Sequence, residues 1–181
     1  MVNLVLTGSR CNVRPWRRTD AAALVKHANN PNVARQLRDR FPHPSTIHDA
    51  HAFLRSASAA QVPENFAIEV DGESAGGIGY SVGTDIERYS AEIGYWLSEA
   101  LWGRGVATEA LTLVTAHLFA SKNLLRVFAL PFAENGASIR VLEKAGYVRE
   151  GLLRSATVKH GLVRDQLLLA RINEHWRPDG L

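Results

Sequence analysis

The sequence predicts an α+β fold of one domain over residues 1–181, a mostly antiparallel, twisted sheet of about seven strands flanked by about four helices, with a parallel pair in the middle. Three observations predict it. Asn65–Val70 and Ser74–Gly83 are short runs around the turn signal Asp71-Gly72, and Glu92–Leu97 continues them as an antiparallel meander. A long helical run then joins Glu92–Leu97 to a further strand, Leu124–Leu130, so these two are expected to be parallel, with a right-handed connection. Finally, 181 residues with 46% apolar and 22% charged side chains suit one globular core.

In chain order, Arg10–Trp16 reads as a first strand closed by Pro15, and Asn3–Leu6 either extends it or lies as an arm. Thr19 is placed to cap a helix with Asp20 in its first turn; Ala22, Leu24, Val25 and Ala28 carry it to Asn29-Asn30-Pro31. Asn32–Pro44 lacks periodicity and reads as a loop or a short helix. Thr46 and Asp49 have capping-box spacing before a helix with Ala52, Phe53, Leu54 and Ala57. His48 and His51 lie on it, but a metal needs a further ligand and only Asp49 is local, so they read as surface residues. Gly76, Gly77 and Gly79 inside a strand signal bulges or close backbone contact.

After a turn at Asp85–Arg88, Glu92–Leu97 alternates, with Ile93, Tyr95 and Leu97 on one face and Glu92, Gly94 and Trp96 on the other. Ser98–Leu101 turns, and Gly103-Arg104-Gly105 opens a helix with apolar residues at Ala107, Ala110, Leu111, Val114 and Leu118. The helix after Asn135 ends at Gly146, a natural left-handed cap. Tyr147–Thr157, the turn His160-Gly161 and Arg164–Ile172 complete the chain as two strands.

Composition narrows the function classes. No run of 18 apolar residues occurs, so no membrane partner is expected. Met1–Arg10 lacks the charged and apolar regions of a signal peptide, and a cytoplasmic location is the default expectation. A single cysteine, Cys11, excludes an internal disulfide and a cysteine metal cluster. The net charge of +3 and pI near 9.3 are mildly basic. Arg35, Arg38 and Arg40 form the nearest basic run; a solvated face accounts for them, and nucleic acid is not an expected partner.

The start of the long helix carries the chemistry. Backbone N–H groups there lack helical partners, the helix dipole is positive, and glycines admit a ligand close to the chain. Such a start cradles phosphate. The dinucleotide pattern G-x-G-x-x-G and the Walker pattern ending G-K-[ST] are both absent. The plain alternative is an ordinary strand–loop–helix with flexible glycines.

The stretch Trp102-Gly103-Arg104-Gly105-Val106-Ala107 resembles the acyl-CoA loop Q/R-x-x-G-x-G/A of the GNAT family of N-acetyltransferases, with Trp at the first position. Continued through Thr108-Glu109-Ala110, it is similar to the branch of the RimJ and RimL ribosomal-protein acetyltransferases. A second block, Asn135-Gly136-Ala137-Ser138 through Val141-Leu142-Glu143-Lys144-Ala145-Gly146-Tyr147, resembles that branch's N-x-A-S-x-x-V-L-E-K-x-G-F/Y motif. The resemblance spans about 10–172, the expected core.

The resemblance implies acetyl-CoA as co-substrate, no metal, and a parallel pair splayed at its C-terminal ends around the pantetheine arm. The diphosphate would rest on the N–H groups of Arg104–Thr108, with charge from Arg104 and a hydroxyl from Thr108. Trp102, Gly103, Gly105, Val106 and Ala107 complete the loop. A backbone N–H near Trp96 and Leu97 would polarise the thioester carbonyl. Transfer would be direct, through a ternary complex. The alternative acetyl-cysteine would need Cys11, which reads as a packing residue.

Freeing an amine at pH 7 takes about 4 to 5 kcal/mol for lysine but only about 1 for an N-terminus. A modest base suffices for the second. Glu92 is the candidate, directly or through water; it also reads as a plain strand carboxylate. Ser138 would hold the sulfur or protonate the leaving thiolate, or simply bond to the helix backbone. Asn135 would cap its helix and bind pantetheine beside Ala137. Tyr147 is a further acid, ranked after Ser138. The acceptor is a protein N-terminus or a small-molecule amine, decided by loops 32–44 and 155–164, with residues 35–41 facing it. A homodimer is common in such proteins, and the C-terminal strands offer edges for one. Two other readings stay open: a catalytically silent CoA-binding domain, and a ribosome- or RNA-associated module.

Overall fold

The computed structural model describes residues 4–39, 41–59 and 64–178. Arg40 of the basic run and Asn3 of the N-terminal arm lie outside them. The fold is α+β. Among the described residues there are eight strands: β1 (Leu6–Thr7), β2 (Asn12–Pro15), β3 (Asn65–Val70), β4 (Glu73–Val82), β5 (Ser90–Leu97), β6 (Arg126–Ala129), β7 (Val148–Lys159) and β8 (Leu162–Ile172). The helices are α1 (Ala21–Ala28), α2 (Pro31–Ala34), α3 (Ile47–Ala59), α4 (Val106–Ser121) and α5 (Gly136–Lys144). The strands form one mixed sheet in the order β1-β2-β3-β4-β5-β6-β8-β7.

The two elements beyond expectation are short. β1 is a separate strand, paired antiparallel with β2, and residues 8–11 are the turn between them. Arg10 and Cys11 therefore belong to that turn, while Pro15 pairs with Phe66 inside the sheet. α2 starts where the Asn30 side chain accepts the Asn32 N–H at 2.7 Å and Pro31 presets the first turn.

Thr19 does not cap α1. It sits in a 3-10 turn, Arg18–Asp20, and Asp20 holds the N-cap position of α1 without a side-chain bond to that helix. Its carboxylate accepts the Arg17 N–H at 2.7 Å and a two-pronged bond from the buried Arg14 guanidinium at 2.8 and 2.9 Å. Burial alone would raise the Asp20 pKa, but the bonds from Arg14 and the Arg17 N–H, with both charges, hold it below the usual range. Arg14 also binds Glu69 through Nε. The Thr46–Asp49 capping box forms as expected, with N–H to side-chain bonds of 2.9 and 3.2 Å. Both hairpin turns read from sequence form with two positive φ angles, 51° and 82° at Asp71-Gly72 and 51° and 77° at His160-Gly161.

The chain divides into two compact units, residues 1–79 with 95–110 and residues 80–94 with 111–181. In the first, Trp16, Ala21, Leu24, Ala28, Ala50, Leu54 and Ala67 make a core against which Phe41 and Trp96 pack. Phe41 and Trp96 meet edge-on, with ring centroids 5.6 Å apart. Gly77 permits this packing, because a Cβ there would lie 2.6 Å from the Trp96 indole nitrogen. In the second, Leu111, Leu118, Leu124, Val127, Leu142 and Leu169 are fully buried. There β5 and β6 run parallel through Ser90–Arg126, Ala91–Val127 and Glu92–Phe128, as the strand–helix–strand pattern requires. No helix of the described residues is long and apolar enough to cross a membrane.

Candidate active site

In the first unit, the end of β5 runs through a short turn into α4. Ser98 N–H donates to the Ala75 carbonyl at 2.8 Å, which keeps this end on β4. The Ser98 hydroxyl lies 3.0 Å from His27 Nδ1. The Glu99 carboxylate accepts from the amides of Asn30 at 2.7 Å and Asn32 at 2.9 Å. Trp102 donates its indole N–H to the Leu97 carbonyl at 2.9 Å. This bond gives the Trp at the head of the loop a structural reason: its long reach closes residues 97–102 into a fixed turn.

The chain then passes Gly103 and Gly105, with φ of +75° and +79°. Side chains rarely adopt this backbone, and the two glycines aim the chain into α4. Arg104 is exposed; Thr108 and Ala107 are half-buried and Val106 is buried. Glu109, in the first turn of α4, binds the β1–β2 turn. It accepts the N–H groups of Ser9 at 3.0 Å, Arg10 at 2.7 Å and Cys11 at 3.0 Å, and the Ser9 hydroxyl at 2.7 Å. Burial would raise its pKa, but these bonds outweigh burial and pull the carboxyl down to about 2. Nothing in the sequence near Glu109 announces this: its partners are three backbone N–H groups and one hydroxyl about a hundred positions away.

Cys11 is 5% exposed, with Sγ 3.8 Å from the Val106 carbonyl and 3.6 Å from Glu109 Oε2. Burial, then the Glu109 charge and hydrogen bond, push its thiol up to about 12. It lies buried beside the start of α4, where burial and the neighbouring carboxylate disfavour its thiolate.

In the second unit, Glu92 is half-buried on β5, opposite Phe128. Asn135 caps α5, its side-chain oxygen accepting the Ser138 N–H at 3.1 Å. Ser138 is half-buried and Ala137 exposed in that first turn. The segment before the cap is pinned to β8: Ala133 N–H donates to the Asp165 carbonyl at 3.0 Å and Gln166 Nε2 to the Leu130 carbonyl at 2.8 Å. Arg164 pairs with Glu134 and lies over the Phe132 ring.

Tyr147 stands apart from this helix start. It is 3% exposed, just past the far end of α5. Its hydroxyl is 2.7 Å from Thr115 Oγ1, and Thr115 spends its own proton on the Leu111 carbonyl at 2.8 Å. The Tyr147 proton is therefore directed at Thr115. Burial raises its pKa to about 12, against the lowering effects of Thr115 and Arg171. This hydroxyl stands in a core hydrogen bond.

Residues 10–148 match the family described as acetyltransferase (GNAT) domain. The chain is 29% identical over 171 residues to an uncharacterized N-acetyltransferase, p20, of Bacillus licheniformis, covering 92% of this chain and 95% of that one. It is 27% identical to spermidine N(1)-acetyltransferase of Escherichia coli, over 86% and 82% of the two chains. Among solved structures it superposes on Mycobacterium smegmatis RimJ, in complex with CoA-disulfide, with a TM-score of 0.79, at 30% identity and 95% and 86% coverage.

Proposed function

The chain belongs to the GNAT acetyltransferase family, and from that premise we propose that it moves an acetyl group from acetyl-CoA directly to a primary amine, within one domain. The observation that carries this reading is the start of α4. Two glycines with positive φ, a turn locked by Trp102, an exposed Arg104 and the Thr108 hydroxyl fit a diphosphate held on backbone N–H groups.

Acetyl-CoA supplies the activated thioester. Residues Arg104–Thr108 hold its phosphates, and a backbone N–H near Trp96 and Leu97 orients the carbonyl. Glu92, directly or through a water, takes the proton of the ammonium. The freed nitrogen attacks the carbonyl carbon and the carbon–sulfur bond breaks; Ser138 gives its proton to the departing sulfur and is reprotonated by the second proton that the nitrogen sheds. Asn135 keeps Ser138 in place and binds the pantetheine arm beside Ala137. Tyr147 supports the second unit's core.

An N-terminal amine is the favoured acceptor, because it needs about 1 kcal/mol to deprotonate at pH 7 against about 4 to 5 for a lysine-like amine. Likeness to the ribosomal-protein-serine acetyltransferase of Escherichia coli, 35% identical over 83 residues, supports a protein acceptor; likeness to the spermidine enzyme keeps small polyamines as the competing class. A cytoplasmic location fits these substrates. Exposed Leu152, Val158, Leu162 and Val163 on the β7–β8 hairpin support a homodimer.

Calorimetric titration with acetyl-CoA tests the reading. Wild-type protein is expected to bind with a micromolar Kd, and the Arg104→Ala, Thr108→Ala double variant at least tenfold more weakly, a loss of about 1.4 kcal/mol. No binding by the wild type would overturn it. Turnover with peptides bearing free N-termini, set beside spermidine, then decides the acceptor class.

A further inference from the structure

We infer that Arg10 is a ligand for the coenzyme's diphosphate, delivered to the α4 loop by the β1–β2 turn and positioned there by Glu109. The inference rests on the acetyl-CoA reading above and adds a residue outside both sequence motifs.

The turn of residues 8–11 is closed by the Gly8 N–H on the Cys11 carbonyl at 2.9 Å. Its next three N–H groups converge on the Glu109 carboxylate. Gly8 is required for so close an approach, because a Cβ there would run into that carboxylate. The turn is thus docked on the first turn of α4 through main-chain groups. This sends the Arg10 side chain across Gly105: its Nε and Cδ lie 3.3 and 3.5 Å from where a Gly105 Cβ would be. The guanidinium therefore borders the backbone that cradles the phosphates.

Its pairing with Glu109 is loose. Nη1 is 3.8 Å from Glu109 Oε1 and 3.4 Å from Ser9 Oγ, and the side chain is 57% exposed. Arg14 shows the alternative, a two-pronged grip on Asp20 at 2.8 and 2.9 Å. Glu109 is already satisfied by four short donors, so Arg10 keeps most of its planar donor fork for an incoming anion. That fork matches phosphate oxygens in charge and geometry.

The test is calorimetry of CoA and of dephospho-CoA, which keeps the diphosphate but lacks the 3′-phosphate. The proteins are wild type, Arg10→Ala, Arg10→Lys, Glu109→Gln and the Arg10→Ala, Glu109→Gln pair. Because the docking uses the Arg10 backbone, removing its side chain leaves the turn in place. Arg10→Ala is expected to weaken both ligands about tenfold, with Arg10→Lys between it and wild type. Glu109→Gln should weaken binding in the wild-type background and add little to Arg10→Ala. Unchanged binding by Arg10→Ala, with the Arg104→Ala, Thr108→Ala variant still impaired, would overturn the Arg10 role alone. A loss seen with CoA and not with dephospho-CoA would overturn the diphosphate assignment. An undiminished Glu109→Gln effect on top of Arg10→Ala would remove Glu109 as its positioner. Wild-type protein that binds neither ligand would sink the inference together with the acetyl-CoA reading.

Discussion

Helices α4 and α5 begin by different physical means. α5 is started by a side chain: Asn135 reaches over three residues to the Ser138 N–H. α4 is started by backbone shape, two glycines at positive φ, and its first-turn carboxylate is spent on a turn near the chain's other end. The first device is local and fixes one backbone N–H of the first turn. The second is non-local and leaves the helix start bordered by two arginines, Arg10 and Arg104. The contrast frames the proposed division of labour, in which the α5 start serves a proton and the α4 start a negative charge.

That division can be broken by experiment, and the largest effect belongs to chemistry. Ser138→Ala should lower kcat by about 10²-fold while leaving the Kd for acetyl-CoA within a factor of about two, if Ser138 is the acid. Unchanged turnover would remove it from that role. Next comes backbone strain at α4. Gly103→Ala meets open space but must hold a φ of +75°, so a loss of about 1 to 2 kcal/mol in denaturant unfolding is expected, with Gly103→Asn closer to wild type. Equal stability of the three proteins would show that the loop relaxes freely. The smallest effect is at the α5 cap. Asn135→Ala should cost about 1 kcal/mol, a melting shift of about 2 to 4 °C for a chain of this size. A shift larger than that of Gly103→Ala would reverse the ranking of the two helix starts.

Local signals made most of this legible in the sequence. The Asp71-Gly72 and His160-Gly161 turns, the Thr46–Asp49 box and the Gly146 cap each depend on neighbours within a few positions, and each forms where expected. The parallel pairing of β5 with β6 followed from a rule of topology. What escaped was non-local. Thr19 resembled a cap, but it lies in a 3-10 turn whose Asp20 is bound by a buried Arg14 from β2. β1 has two residues, too few to show a period. Glu109 enters the sequence reading only within the Thr108-Glu109-Ala110 continuation of the loop motif, and its carboxylate in fact serves residues 9–11. Tyr147 looked like a motif acid because its burial and its bond to Thr115 cannot be read from spacing.

Cys11 has a practical consequence. It is the chain's single cysteine, it is only 5% exposed, and its burial beside the Glu109 carboxylate disfavours the thiolate. Thiol-reactive dyes consume thiolate, so the protein contributes almost no background to them. Coenzyme A released by acetyl transfer can therefore be counted continuously by its own sulfur, in an ordinary cuvette and without a radiolabel. The acceptor screen can be run with unmodified enzyme, the buried thiol being expected to escape the reagent that reports turnover.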